Sequence, residues 1–266
     1  MTQQVECWGK KNHNVDVIEL PLSQNYMNIH SLKARQDYPK YHRCPADLIT
    51  TWKIQPYLTN REPESVKPDS YLRSCAQEKA QQENYSEAIA LLSQLIIRHP
   101  DNALDYNNRG LVYFQSGELE QAIADYNIAL QLNPQLASAY NNRANYYAAC
   151  GQLAAALADY DRALDLNPSY VRAWINRGIT LRDLGRFDQA IENFDIAEVL
   201  GQLEGHIYAE RGRTYHLWGD WNSCVADYRR ALTCLRENGA SSSDPASRLR
   251  LKVTTWLNQL LSPLPT

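Results

Sequence analysis

One five-residue phrase returns along this chain at a fixed interval of 34 residues. Tyr106, Asn107, Asn108, Arg109 and Gly110 are followed by Tyr140, Asn141, Asn142, Arg143 and Ala144, then by Trp174, Ile175, Asn176, Arg177 and Gly178. A fourth copy, Tyr208, Ala209, Glu210, Arg211 and Gly212, keeps the register. Behind each phrase, at one distance, stands a second set: Ala122, Tyr126 and Ala129; Ala156, Tyr160 and Ala163; Ala190, Phe194 and Ala197; Cys224, Tyr228 and Ala231. A recurrence of this length marks a helical solenoid, in which stacked units bury faces that no single unit buries alone.

Each copy is broken midway by a turn signal, namely Glu83 with Asn84, Gly117, Gly151, Gly185 and Gly219, with apolar residues three and four apart on either side. That pattern predicts a helix hairpin. Two antiparallel helices approach closely only where both offer small residues, so Gly110 is expected to face Ala122, and Gly178 to face Ala190. Aromatic residues such as Tyr106, Tyr113 and Tyr126 fill the space beside them, and Pro100, Pro134 and Pro168 stop the second helix of their copies. The fourth copy lacks that proline, and Gly201 and Gly205 are expected to end and restart helices there.

These letters resemble the tetratricopeptide repeat: Trp or Tyr, Gly, Tyr, Ala, an aromatic, Ala and Pro over 34 residues. The resemblance implies an all-α, right-handed superhelical solenoid of about five helix-turn-helix repeats. The copies run 69–102, 103–136, 137–170, 171–204 and 205–238. A C-terminal capping helix is expected over 243–262, with Asp244 as N-cap, Pro245 at its first position and apolar residues Leu249, Leu251, Val253, Trp256, Leu257 and Leu260. Residues 1–68 fit no copy. They read as an irregular segment with an apolar run from Val15 to Leu22 that is a short strand or extended segment ending at Pro21, two helical turns from Pro45 to Trp52, and a linker from Arg61 to Pro68.

The row Arg109, Arg143, Arg177 and Arg211 invites an anion-binding ladder, but sixteen residues after each stand Asp125, Asp159, Asn193 and Asp227. In the first copy both positions change, to Cys75 and Leu91. A charge in a helix–helix seam is costly unless paired, and the guanidinium fork matches a carboxylate, so these rows are expected to pair inside the hairpins.

In a tetratricopeptide stack the first helices line the concave face. The resemblance therefore assigns a peptide-binding groove to Asn107, Asn108, Leu111, Phe114, Asn141, Asn142, Asn145, Arg172, Asn176, Ile179, Arg182 and Arg213. Carboxamides at Asn108, Asn142 and Asn176 have the donor and acceptor to bind a peptide main chain, and the arginines favour a neutral to acidic partner. The carboxylate clamp of the family's chaperone-tail binders matches poorly: Arg73 and Gln77, Asn108, then Ser138 and Asn142 supply one base and the central Asn.

Composition narrows the function classes. A net charge of -3 gives no nucleic-acid footprint. No apolar run is long enough to cross a bilayer, and the first residues lack a signal-peptide core, so a cytoplasmic protein is expected. Cys75, Cys150, Cys224 and Cys234 occupy repeat positions and read as reduced thiols used as small residues. No metal, cofactor or catalytic residue is assigned. An enzyme would need a site in residues 1–66, where Cys7, His13, Asp16, His30, His42 and Cys44 have no arrangement that marks one. The leading expectation is a non-enzymatic interaction module. The alternative has the N-terminal segment regulating the groove, with Trp8 or Trp52 as anchor, or carrying a separate activity.

Overall fold

A computed structural model describes residues 67–235 and 245–261. The expectations for Val15–Leu22, Pro45–Trp52, the groove-regulating segment and Asp244 fall outside these residues. Among the described residues there are helices and their connections, and no strand. The helices are α1 (Asp69–Gln81), α2 (Tyr85–Arg98), α3 (Ala103–Ser116), α4 (Leu119–Leu132), α5 (Ala137–Ala149), α6 (Leu153–Leu166), α7 (Val171–Asp183), α8 (Phe187–Val199), α9 (Glu204–Trp218), α10 (Trp221–Cys234) and α11 (Pro245–Leu261).

The terminators act as their chemistry demands. Proline disfavours helical geometry in the residue before it. Accordingly α2, α4 and α6 end at Arg98, Leu132 and Leu166, and His99, Asn133 and Asn167 are extended, with φ of -135°, -139° and -143°. At the mid-hairpin turns Gly117, Gly151, Gly185 and Gly219 take φ of 75–91°, whereas the first copy forces Glu83 to φ 60°. Between α8 and α9 the chain turns on Gly201 and on Leu203, itself left-handed at φ 63°. Gly205 does not restart a helix as expected. It lies inside α9, where a Cβ would sit 2.8 Å from the Leu235 side chain, so its smallness admits the end of α10.

Within hairpins the seam is set by small residues. A Cβ on Gly110 would meet the Tyr126 ring at 2.9 Å and the Ala122 carbonyl at 3.2 Å, and one on Gly178 would meet Phe194 at 3.0 Å and the Ala190 carbonyl at 3.2 Å. Tyr126, Tyr160, Phe194 and Tyr228 are consequently swallowed whole. Full burial of a large apolar side chain stabilises by roughly 1.5–3 kcal/mol, which makes these rings the main adhesive of each hairpin.

Hairpins stack in sequence, and the stacking is uneven. The first helices α3, α5, α7 and α9 touch their neighbours of the same row directly, while successive second helices make no comparable contact among the described residues. The array therefore curves with its first helices on the inner side. At the far end α11 lays Leu249 and Val253 against Tyr228, Ala231 and Leu235, and Arg250 donates to the Leu232 and Leu235 carbonyls at 3.3 and 3.1 Å. These are carbonyls at the C-terminal end of α10, where a cation is favoured by the helix dipole.

Candidate functional site: the inner face and its asparagine ladder

The arginine row pairs as its chemistry requires. Arg109 holds Asp125 through two bonds of 2.7 and 2.8 Å, Arg143 holds Asp159 at 2.7 and 2.9 Å, and Arg211 holds Asp227 at 2.7 and 3.1 Å. Arg177, opposite an amide, donates once to Asn193 at 3.0 Å. Each guanidinium also reaches back to the preceding hairpin, to Ser93 (3.1 Å), Asn127 (2.9 Å), Asp161 (2.7 Å) or Asp195 (2.5 Å). These second partners stand sixteen residues before each Arg. Tyr106 and Tyr113 flank the Arg109 cation at 5.6 and 5.7 Å, as Tyr140 and Tyr147 flank Arg143 at 5.6 and 5.9 Å. Each Arg thus bolts three helices together.

The asparagines do not form the open row expected of them. Asn176 Nδ2 donates to Asn141 Oδ1 at 3.2 Å, and Asn141 Nδ2 to Asn142 Oδ1 at 3.3 Å. Asn142 Nδ2 then donates to Asn107 Oδ1 at 3.0 Å, and Asn107 Nδ2 to Asn108 Oδ1 at 3.4 Å. The five carboxamides form one head-to-tail ladder across α7, α5 and α3, in which the bonds between helices run to the preceding hairpin and the bonds within a helix run to the next residue. All are buried, Asn142 most exposed at 6%. Buried amides require partners, and here they supply them to one another. Asn145 is also committed, accepting from Tyr160 Oη at 2.6 Å.

The apolar groove positions are likewise corrected. Leu111 and Phe114 belong to the core that α3 shares with the first hairpin, and Ile179 to the core around Phe194. A helix presents too narrow a face for these positions to serve both a tight interhelical seam and an open pocket, and the seam takes them.

The cations remain. Arg172 and Arg213 are half-buried, and Arg182 keeps 11% of its side-chain surface exposed. Arg182 donates to Glu210 of the next hairpin at 2.6 Å and to neighbouring Asp183 at 3.3 Å. Burial pushes the Asp183 carboxyl up, against the pull of Arg182. Arg213 lies 5.2 Å over the ring of Trp256 from α11.

Known proteins share this architecture. A family model described as TPR repeat matches residues 110–149, and one described as Tetratricopeptide repeat matches 141–203. No curated protein sequence matches significantly. Among solved structures, TTC0263, a thermophilic TPR protein of Thermus thermophilus, is 18% identical with a TM-score of 0.60, over 71% of this chain and 99% of that one. PilW, a type IV pilus biogenesis factor, is 18% identical with a TM-score of 0.59, over 72% and 92%. MamA is 22% identical with a TM-score of 0.51, over 59% and 92%. At these identities the likeness is one of fold. No helix among the described residues is long and apolar enough to span a membrane. Residues 110–203 thus match tetratricopeptide repeat models, and the hairpins share the fold of these solved structures.

Proposed function

We propose that this array is a non-enzymatic protein–protein interaction module that holds a peptide or helix of a partner on its inner face, as a scaffold, adaptor or assembly factor. The observation that carries the reading is the row of directly packed first helices α3, α5, α7 and α9, which gives the array a concave side. On that side the asparagine ladder serves as the floor. Selectivity comes from Arg172, Arg182 and Arg213 toward the C-terminal end, and these favour a neutral to acidic partner. The Arg182–Glu210 pair is a natural point of exchange, since a partner carboxylate replaces Glu210 without leaving the cation unpaired.

Affinity capture from native lysate tests this. Wild type is compared with a triple variant, Arg172→Gln, Arg182→Gln and Arg213→Gln, matched for helicity by circular dichroism. The partner is expected to be retained by wild type and lost from the variant, whereas equal retention by both excludes this face.

A further inference from the structure

His216 stands in the last turn of α9, where α9, α10 and α11 converge. Its ring lies 5.7 Å from Trp221 and 6.3 Å from Tyr228, the latter edge-on at 75°. Nδ1 is 3.3 Å from the Tyr228 hydroxyl and 3.3 Å from Arg213 Nη1. Arginine is only a donor, so the contact with Arg213 requires a neutral imidazole whose proton sits on Nε2. The same two neighbours form the seat of α11: Tyr228 stacks on Trp256 at 5.8 Å and 29°, and Arg213 lies over the Trp256 ring at 5.2 Å. One imidazole therefore organises both groups on which Trp256 rests.

We propose that His216 is a proton-operated release for the C-terminal helix α11. Protonation turns Nδ1 from acceptor into donor. Tyr228 can reverse its bond, but Arg213 cannot, and it then faces a second cation at hydrogen-bond distance. The strain is relieved when Arg213 swings away from the imidazolium and off Trp256. Leu249, Val253 and the Arg250 bonds to the Leu232 and Leu235 carbonyls do not depend on this proton. The release therefore begins at the Trp256 end of α11 and leaves its first turns docked.

The sign follows from the surroundings. Burial, and then the charge of Arg213, hold the His216 imidazole below its ordinary range. The folded state thus favours the neutral ring, and this stability is present above the unfolded pKa of about 6.5 and lost as pH falls through and below it. The other titratable groups around it stay fixed over that window. On α9, Arg213 is permanently charged. On α10, burial raises the Tyr228 phenol, and it pushes the Cys224 thiol up to about 11. At the turn, the Ser223 hydrogen bonds lower the Asp220 carboxyl. From α11 the facing group is Trp256, which does not titrate.

Hydrogen exchange on the full chain at pH 7.5 and 5.0, corrected for intrinsic rates, reads the release directly. Residues 256–261 are expected to lose about tenfold more protection on acidification than α9 or α10. In His216→Gln, whose amide oxygen still accepts but cannot protonate, that excess disappears. An unchanged α11 in wild type, or an equal loss in His216→Gln, overturns the proposal. Should that variant fold poorly, Arg213→Met removes the opposing cation and is expected to shrink the acid effect. An undiminished effect in it also overturns the proposal.

Discussion

Removing Arg143 is the sharpest perturbation of the array, because it orphans a partner at a known depth. Asp159 keeps only 11% of its side-chain surface, and Arg143 keeps 21%. Breaking a buried pair by deleting one partner costs about 3–5 kcal/mol. The remaining exposure of the guanidinium places Arg143→Ala near the lower end, at about 3 kcal/mol, including the lost contacts with Asn127, Tyr140 and Tyr147. For a domain of this size 1 kcal/mol moves the melting midpoint by roughly 2–4 °C, so a fall of about 6–12 °C is expected by circular dichroism. The double variant Arg143→Ala, Asp159→Leu removes the orphaned carboxylate and should recover about 1–2 kcal/mol in urea denaturation. The first hairpin makes the same exchange naturally, with Cys75 and Leu91 at these positions. A double variant no more stable than Arg143→Ala would refute the reasoning.

Three further outcomes follow from single contacts. Tyr126 has a buried hydroxyl without a partner among the described residues, whereas Tyr160 bonds Asn145, so Tyr126→Phe should be neutral or stabilising and Tyr160→Phe should cost about 1–2 kcal/mol in urea titration. Relieving the left-handed Glu83 by Glu83→Gly should stabilise by roughly 0.5–1 kcal/mol in a thermal melt. Asn142→Ala deletes the middle of the ladder, leaving Asn107 Oδ1 and Asn141 Nδ2 without their bonds, and should cost about 2–3 kcal/mol. Native-state hydrogen exchange should then show α3 opening independently of α7.

Much of this architecture was legible because its causes are local and repeat. The turn glycines, the prolines and the Gly-to-Ala seams each impose geometry on their own short stretch, and 34-residue repetition multiplied the signal. The pairing of Arg109 with Asp125 was legible for a different reason: where the first copy changes one letter, it changes the other. The same logic, run backward, would have found Ser93, Asn127, Asp161 and Asp195, which sit sixteen residues before each Arg.

The ladder was hidden because an asparagine facing a ligand and one facing another asparagine look alike in one copy. The clue is the doubling. Asn107 and Asn141 accept from Asn142 and Asn176 of the next hairpin, and the ladder stops where Ile175 and Ala209 replace the acceptor. Glu210, standing where the next Asn would be, turns to Arg182 instead. Gly205 misled for a related reason: a glycine needed for close approach has the same letter as one needed for a turn.

The repeat's recurring letters go to internal packing, and we assign partner contact to the inner face near Arg172, Arg182 and Arg213. The most direct test is the hydrogen-exchange footprint of the complex captured by wild-type protein. Protection centred on α7 and α9, with α8 and α10 unchanged, is predicted. Protection confined to α8 and α10 would contradict it.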